Sequence, residues 1–219
     1  MRQAAHTLVF DVDGVVLDFY GGAKRVLEEM LQRPMVVVDP RPATKFRYGL
    51  SDEEYLQMRE VMRHHAHGWR NLPVLPGAVE GLMQLQEQGH RVMFLSSCGQ
   101  SLYEPRRENL DRLGLQNCEL ICVEDKDKNA KGVILEKIRP IAFVDDHMKM
   151  LAQAKGVRHR VWVDHGCSPE IDPATNRPYV EDHAVERVSS IRSWITHWLH
   201  VTMEQEAPVP QRRRGLRLA

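Results

Sequence analysis

Asp11 and Asp13 close an apolar run, Leu8-Val9-Phe10, with one residue between them and Gly14 directly after. Positions i and i+2 of an extended chain share a face, so this spacing predicts two carboxylates leaving a buried strand toward one small volume. Two like charges there need a counter-charge, and a divalent cation such as Mg2+ supplies it through oxygen ligands. Gly14 permits a turn and a close approach of backbone to a ligand. Further along, Val92-Met93-Phe94-Leu95 ends in Ser96-Ser97, and Ile141-Ala142-Phe143-Val144 ends in Asp145-Asp146. A serine hydroxyl at a strand end can donate to an anion, though Ser-Ser is also ordinary turn chemistry. A carboxylate ending a buried strand is costly without a partner, and a metal resolves that cost. The acidic pair also suits the cap of a helix starting near Met148, and the two roles are compatible. Lys131 begins a helical stretch, Lys131–Lys137, where its ammonium can offset neighbouring negative charge or simply face solvent.

The elements that must position these groups alternate in kind. Strand-like runs at Thr7–Phe10, Arg91–Leu95, Leu120–Val123, Ile141–Val144 and Arg160–Val163 are separated by helical patterns, which predicts a Rossmann-like α/β fold with a parallel sheet covered on both faces. Ala78–Gln88 reads as a helix started by Pro76-Gly77 and stopped by Gly89, and Glu104–Leu113 with Gly114 repeats that logic. About sixty residues separate Gly14 from Pro76, far beyond the roughly 2 to 6 of a strand-to-helix loop. A small helical cap is therefore expected at residues 15–75, with the catalytic core at 1–14 and 76–203. Ala23–Leu31 has helical spacing, and Ser51-Asp52-Glu53-Glu54 is a capping box opening a second helix toward His64. Pro34–Pro42 fits either a short strand or an extended connector. Val188, Ile191, Trp194, Ile195, Trp198 and Leu199 form the apolar stripe of a terminal helix. Residues 204–219, ending near Arg212-Arg213-Arg214, read as a flexible basic tail.

With 219 residues the chain suits one substantial core plus a small insert. Lys plus Arg and Asp plus Glu balance at 30 each, so no global field recruits nucleic acid or an anionic membrane. No apolar run is long enough to span a bilayer, and Asp11 interrupts the N-terminus too early for a signal-peptide core, so a cytoplasmic location is expected. Cys98, Cys118, Cys122 and Cys167 read as reduced thiols. Cys118 and Cys122 lack a second pair with zinc-like spacing, and His64, His65 and His67 lack acidic or cysteine neighbours in sequence.

In order along the chain, FDVDG, the strand ending in Ser96, Lys131 and the strand ending in Asp145-Asp146 resemble the four motifs of the haloacid dehalogenase-like (HAD) superfamily of hydrolases. The resemblance covers residues 7 to 165, departing at Gly132, where many relatives carry proline after the motif lysine. It implies a Mg2+-dependent phosphatase acting on a small phosphate monoester. Asp11 would be the nucleophile, and Asp13 the acid and base, with its backbone carbonyl toward the metal. Gly14, Ser96, Ser97 and Lys131 would hold the phosphoryl group, helped by the N–H of Cys98, and Lys131 would also balance charge on Asp11. Asp145 and Asp146 would complete the metal set. Dehalogenating relatives lack the second aspartate, so Asp13 argues against that activity. A phosphotransferase such as a sugar-phosphate mutase shares all four motifs and is the alternative. A non-enzymatic phospho-receiver fits less well, because its phosphorylated aspartate lies on a later strand. Substrate choice is expected from the cap, with Arg47, Arg59, Arg63, His64, His67 and Arg70 as candidates.

Overall fold

The computed structural model describes residues 5–124, 129–180 and 184–206, with side chains described as far as Val201. Six parallel strands form one sheet in the order β3-β2-β1-β4-β5-β8: β1 (Thr7–Phe10), β2 (Arg91–Ser96), β3 (Glu119–Cys122), β4 (Ala142–Asp145), β5 (His159–Val163) and β8 (Glu186–Val188). A small antiparallel hairpin, β6 (Ile171–Asp172) and β7 (Arg177–Pro178), lies between β5 and β8 in sequence. The fold is the expected Rossmann-like α/β, and it has a sixth strand that the sequence pattern did not single out. Val188, assigned above to the terminal helix, pairs instead with Val163 at the sheet edge.

Alternation along the central strands builds two cores. Leu8 and Phe10, Val92 and Phe94, Ala142 and Val144 enter one apolar cluster with the inserted helices, α4 (Ala78–Glu87) and α8 (Ile191–Glu206). Val9, Met93, Leu95, Phe143 and Trp162 enter the other, with Leu135 of α6 (Ala130–Ile138) and Met148 and Leu151 of α7 (Met148–Leu151). Strands buried on both faces must be apolar throughout, as these are. The polar residues at their carboxyl ends are therefore exceptions that need a local reason.

Chain order reverses beside β1, whose neighbours are β2 on one side and β4 on the other. Such a switch point opens a crevice beyond the carboxyl ends of the strands. Asp11 lies there, its N–H donating to the Val144 carbonyl at 2.8 Å.

The segment after β1 holds α1 (Phe19–Leu31), α2 (Thr44–Arg47) and α3 (Asp52–Val61). Its two ends are stitched together, with Asp18 N–H on the Pro73 carbonyl at 2.7 Å and Leu75 N–H on that of Val16 at 2.9 Å. The α3 capping box forms in full, Ser51 Oγ accepting from Glu54 N–H and Glu54 accepting from Ser51 N–H. Pro34–Pro42 contains no strand and runs as a connector with Val36, Val37 and Val38 exposed. At the other end of the chain, α8 continues past Met203 to Glu206, overlapping the start of the expected tail. The arginine triplet lies outside the described residues. No described helix is long and apolar enough to cross a membrane.

Candidate active site

Three carboxylates and one ammonium meet at the switch point. Lys131, 2% exposed, donates to Asp11 Oδ1 at 2.9 Å and to Asp145 Oδ2 at 2.6 Å. Its place in the first turn of α6 sends the side chain across the sheet end. Asp11, Asp145 and Asp146 each offer an oxygen within 4.8 Å of the others. Asp145 Oδ1 accepts from the His147 N–H at 2.8 Å, and Asp146 Oδ2 accepts from the Tyr20 hydroxyl at 2.8 Å. His147 in turn reaches Glu170 at 3.2 Å, an acid on the approach to the β6–β7 hairpin.

Burial dominates the electrostatics of this cluster. It pushes the Asp11 carboxyl up to about 7, despite the opposing pull of Lys131 and with added repulsion from Asp145 and Asp13. Burial likewise raises Asp145 and Asp146. It works to lower Lys131, yet Asp11 and Asp145 together hold that ammonium above its ordinary value. For His147 burial again opposes charge, but Asp146 and Glu170 lift it to about 9.

Gly14 is required twice over. Its φ is +78°, and a Cβ built there would stand 2.3 Å from Asp146 Oδ2. The motif glycine thus leaves room for a carboxylate of another motif, while its carbonyl meets His165 Nε2 at 2.5 Å. Gly132 has ordinary backbone, and a Cβ there would lie 2.3 Å from Asn129 Oδ1, the end of a side chain.

Asp13 lines the same cavity as Asp11, but it gets there from a turn and not from the strand. The strand ends at Phe10 and the chain turns, Val16 and Leu17 donating to the Val12 carbonyl, so the alternation of an extended strand does not carry through to Asp13. Its carboxylate stands outside the three-carboxylate group. Arg106 of α5 (Tyr103–Arg112) holds both its oxygens, with contacts of 2.6, 2.7 and 3.1 Å. Arg106 is wholly buried and also donates to the Trp69 carbonyl at 2.8 Å.

Asp11, Asp13, Ser96, Ser97 and Cys98 line one cavity of about 330 Å³, with Asp146 and His147 opposite. The inserted segment closes it with Phe19, Thr44, Lys45, Phe46, Tyr55, Arg59 and Trp69. Of the six cap residues expected to meet a substrate, Arg59 lines the cavity. Arg47 is spent elsewhere, donating to Cys167 Sγ at 3.0 Å, while Arg63 and Arg70 pair with Glu60 and Glu108. His64 and His67 do not line the cavity, and His65 pairs with Glu29 across the insert at 2.9 Å. All four cysteines are free thiols. Sequence reasoning missed Arg106, Tyr20, Trp69 and Lys45. Asp18 alone offered a cue, since a cap before Phe19 would have started α1 early enough to include Tyr20.

A hard cation fits this donor set. Asp146 Oδ1 is buried and without a hydrogen-bond partner, an expensive state for a carboxylate oxygen that a metal would relieve. Lys131 serves Asp11 and Asp145, and His147 faces both Asp146 and Glu170, so four acids against two cations leave negative charge in excess.

No family model matches the chain. It is 23% identical over 168 residues to a protein of Chlorobaculum tepidum provisionally described as a 5'(3')-deoxyribonucleotidase, covering 71% of this chain and 77% of that one. Among solved structures it is similar to a HAD family hydrolase of Deinococcus radiodurans with bound phosphate and sodium, at TM-score 0.61 and 13% identity over 91% of this chain and 96% of the other. A protein of Clostridium acetobutylicum named as a phosphatase by prediction superposes at TM-score 0.57 and 13% identity, over 90% of this chain and all of its own. At such identities a likeness speaks for the fold alone, and the fold of this chain is similar to that of these two structures.

Proposed function

We propose that the chain is a Mg2+-dependent phosphatase that hydrolyses a small phosphate monoester through Asp11. The observation that carries this reading is Asp11 itself: a buried strand-end carboxylate, bonded through one oxygen to Lys131, on the wall of a cavity. With Oδ1 engaged by Lys131, Oδ2 is the oxygen available for attack. It forms a bond to phosphorus as the bond to the leaving oxygen breaks, and Asp13, entering this step in its neutral carboxylic acid form, gives that oxygen its proton and becomes the carboxylate. In the second step Asp13 takes a proton from water as the water oxygen bonds to phosphorus. The aspartyl bond then breaks, releasing inorganic phosphate and restoring Asp11.

On this reading Ser96 and the backbone after it, which line the cavity, would donate to nonbridging phosphoryl oxygens, and Lys131 would balance charge at Asp11 throughout. Asp11, Asp145 and Asp146, with the Asp13 carbonyl, would hold Mg2+, which supplies positive charge against the phosphoryl group when bound. The cavity volume suits a small metabolite, and residues of the inserted segment line one side of it. The description of the Chlorobaculum relative makes nucleoside monophosphates the first esters to assay.

The test is phosphate release from such esters and from p-nitrophenyl phosphate, with and without Mg2+. Asp11→Asn is expected to remove turnover by more than about a thousandfold while the far-UV circular dichroism is unchanged. Undiminished turnover in that variant overturns the nucleophile. Transfer of the phosphoryl group to a sugar acceptor, without inorganic phosphate as the main product, would favour a phosphotransferase instead.

A further inference from the structure

Arg106 belongs to none of the four motifs, yet it makes more contacts to Asp13 than any motif residue does. Its guanidinium is wholly buried, a costly position that requires its donors to be met. They are met by Asp13 on one side, through Nε and one terminal nitrogen, and by the Trp69 carbonyl on the other. The guanidinium also lies over the Trp69 ring, 4.8 Å from its centroid. Trp69 is stacked in turn on Phe19, with centroids 5.3 Å apart and planes within 14°. Asn109, one turn along from Arg106, donates to the same Trp69 carbonyl at 2.7 Å.

The arrangement has a direction. Arg106 has no exposed surface, whereas the Asp13 side chain keeps 19% of its own, and Asp13, Trp69 and Phe19 all line the cavity. The pair is thus anchored from behind and open in front. Backbone geometry alone cannot aim Asp13, because the turn at Val12 separates it from the strand that fixes Asp11. A planar fork gripping both oxygens removes the rotamer freedom that remains, which a lysine ammonium, a single point of charge, cannot do.

We propose that Arg106 is a positioning residue: it fixes where the Asp13 carboxyl stands relative to a leaving group, and through Trp69 and Phe19 it ties that position to the aromatic wall against which the leaving group is seated. This rests on the phosphatase reading above and adds to it a residue outside the motifs. The consequence is chemical. A good leaving group departs without a proton, whereas a poor one depends on the donor being in place. Displacing Asp13 should therefore harm esters of weakly acidic alcohols and spare those of acidic phenols. General damage to the fold would harm both alike.

The experiment compares p-nitrophenyl phosphate with an alkyl phosphate such as glycerol phosphate, both with Mg2+, in wild type, Arg106→Lys, Asp13→Asn and the double variant. For Arg106→Lys, kcat on the alkyl ester is expected to fall about a hundredfold, against under about threefold on the aryl ester, with KM little changed. The double variant should be no worse than Asp13→Asn alone, because the two act as one unit. Equal losses on both esters, no loss in a folded Arg106→Lys, or additive losses in the double variant would each overturn the proposal. Where Arg106→Lys does not fold, Trp69→Phe keeps the charge and weakens its support. A loss confined to the alkyl ester supports the positioning role, and an equal loss or none overturns it. Wild-type protein that releases no phosphate from either ester would instead defeat the phosphatase reading, and this proposal with it.

Discussion

Two acidic centres face the same cavity, and they are held by opposite means. Asp11, Asp145 and Asp146 are crowded together at strand ends, with one lysine among three carboxylates and one oxygen left unpartnered. Asp13 has a guanidinium to itself, both oxygens engaged, with aromatic rings packed behind. The first centre is short of positive charge, and on the phosphatase reading proposed above a cation would complete it. The second is complete within the chain. That difference divides the labour one would want in phosphoryl transfer: an under-compensated pocket draws a cation and a phosphoryl group, and a satisfied carboxylate keeps a fixed position for handling protons.

The comparison breaks most visibly at Lys131, the sole described cation bonded to the crowded centre's Asp11 and Asp145. Lys131→Met is expected to lower turnover by about 10²–10³-fold, the scale of losing one preorganised electrostatic contact. It should also make the metal-free protein less stable by about 3 kcal/mol, since buried carboxylates lose their partner. Phosphate-release kinetics and urea melts check both numbers. A comparable loss on Arg106→Lys with aryl esters would erase the distinction between the centres. Next in size is Gly14→Ala. The left-handed backbone costs about 1–2 kcal/mol for a residue with a side chain, and the new methyl must also displace Asp146. The expected signature is a weakened response to Mg2+ alongside the stability loss, and an unshifted Mg2+ titration would contradict the close approach of Asp146 to Gly14.

How much of this was legible follows the same division. The crowded centre lies on strand ends and a helix start, and its carboxylates are announced by local runs: three apolar residues before Asp11 and four before Asp145-Asp146. Alternation of Val9 against Leu8 and Phe10 across two cores is what such runs encode. Arg106 carries no such signal. It sits in Glu104-Pro105-Arg106-Arg107-Glu108, a stretch that reads as solvated helix surface, and its partner is 93 residues away in sequence. A buried charge paired across the fold has no spacing to betray it. Likewise β8 is three residues long with two of them exposed, too brief for a strand pattern, and its Val188 falls by chance on the helical period of Ile191 and Trp194. Pro34–Pro42 reads as strand-capable because of its valines, but no described strand pairs with it, and it runs as a connector with Val36, Val37 and Val38 exposed.

Acid–base linkage separates the centres without any mutation. Burial raises Asp11 to about 7 and also raises Asp145 and Asp146, so the folded, metal-free chain binds more protons than the unfolded one between about pH 4 and 7. Its stability must fall as pH rises through that range. His147, lifted to about 9, gains its charged partners on folding, and that stabilisation is present below pH 6.5 and lost as pH rises toward 9. Both contributions have the same sign, so thermal melts in EDTA should show a decline from pH 5 to pH 9 of several degrees, at about 2–4 °C for each kcal/mol. Added Mg2+ should flatten the lower half of that profile. A metal-free protein that grows more stable toward pH 8 would mean the carboxylates are not crowded as described.

The smallest effect concerns the one hydroxyl described on Asp146. Tyr20 comes from α1 of the inserted segment, while Asp146 belongs to the core, and their 2.8 Å hydrogen bond makes the segment part of the crowded centre as well as of the wall facing Asp13. Tyr20→Phe keeps the ring, its tilted packing on His165 5.2 Å away and its place under the Arg47 guanidinium, and deletes only the donor. Asp146 would then have both oxygens without a hydroxyl partner, less firmly oriented but freer to bind a cation. Loss of orientation outweighs the added freedom where outer contacts aim a ligand, typically by tenfold or more. The midpoint of Mg2+ activation should therefore rise about tenfold, with kcat at saturating Mg2+ within about threefold of wild type. A midpoint that stays put would show that the strand-end centre takes its geometry from the core alone, and would leave Trp69 and Phe19, on the Asp13 side, as the insert's route to the chemistry.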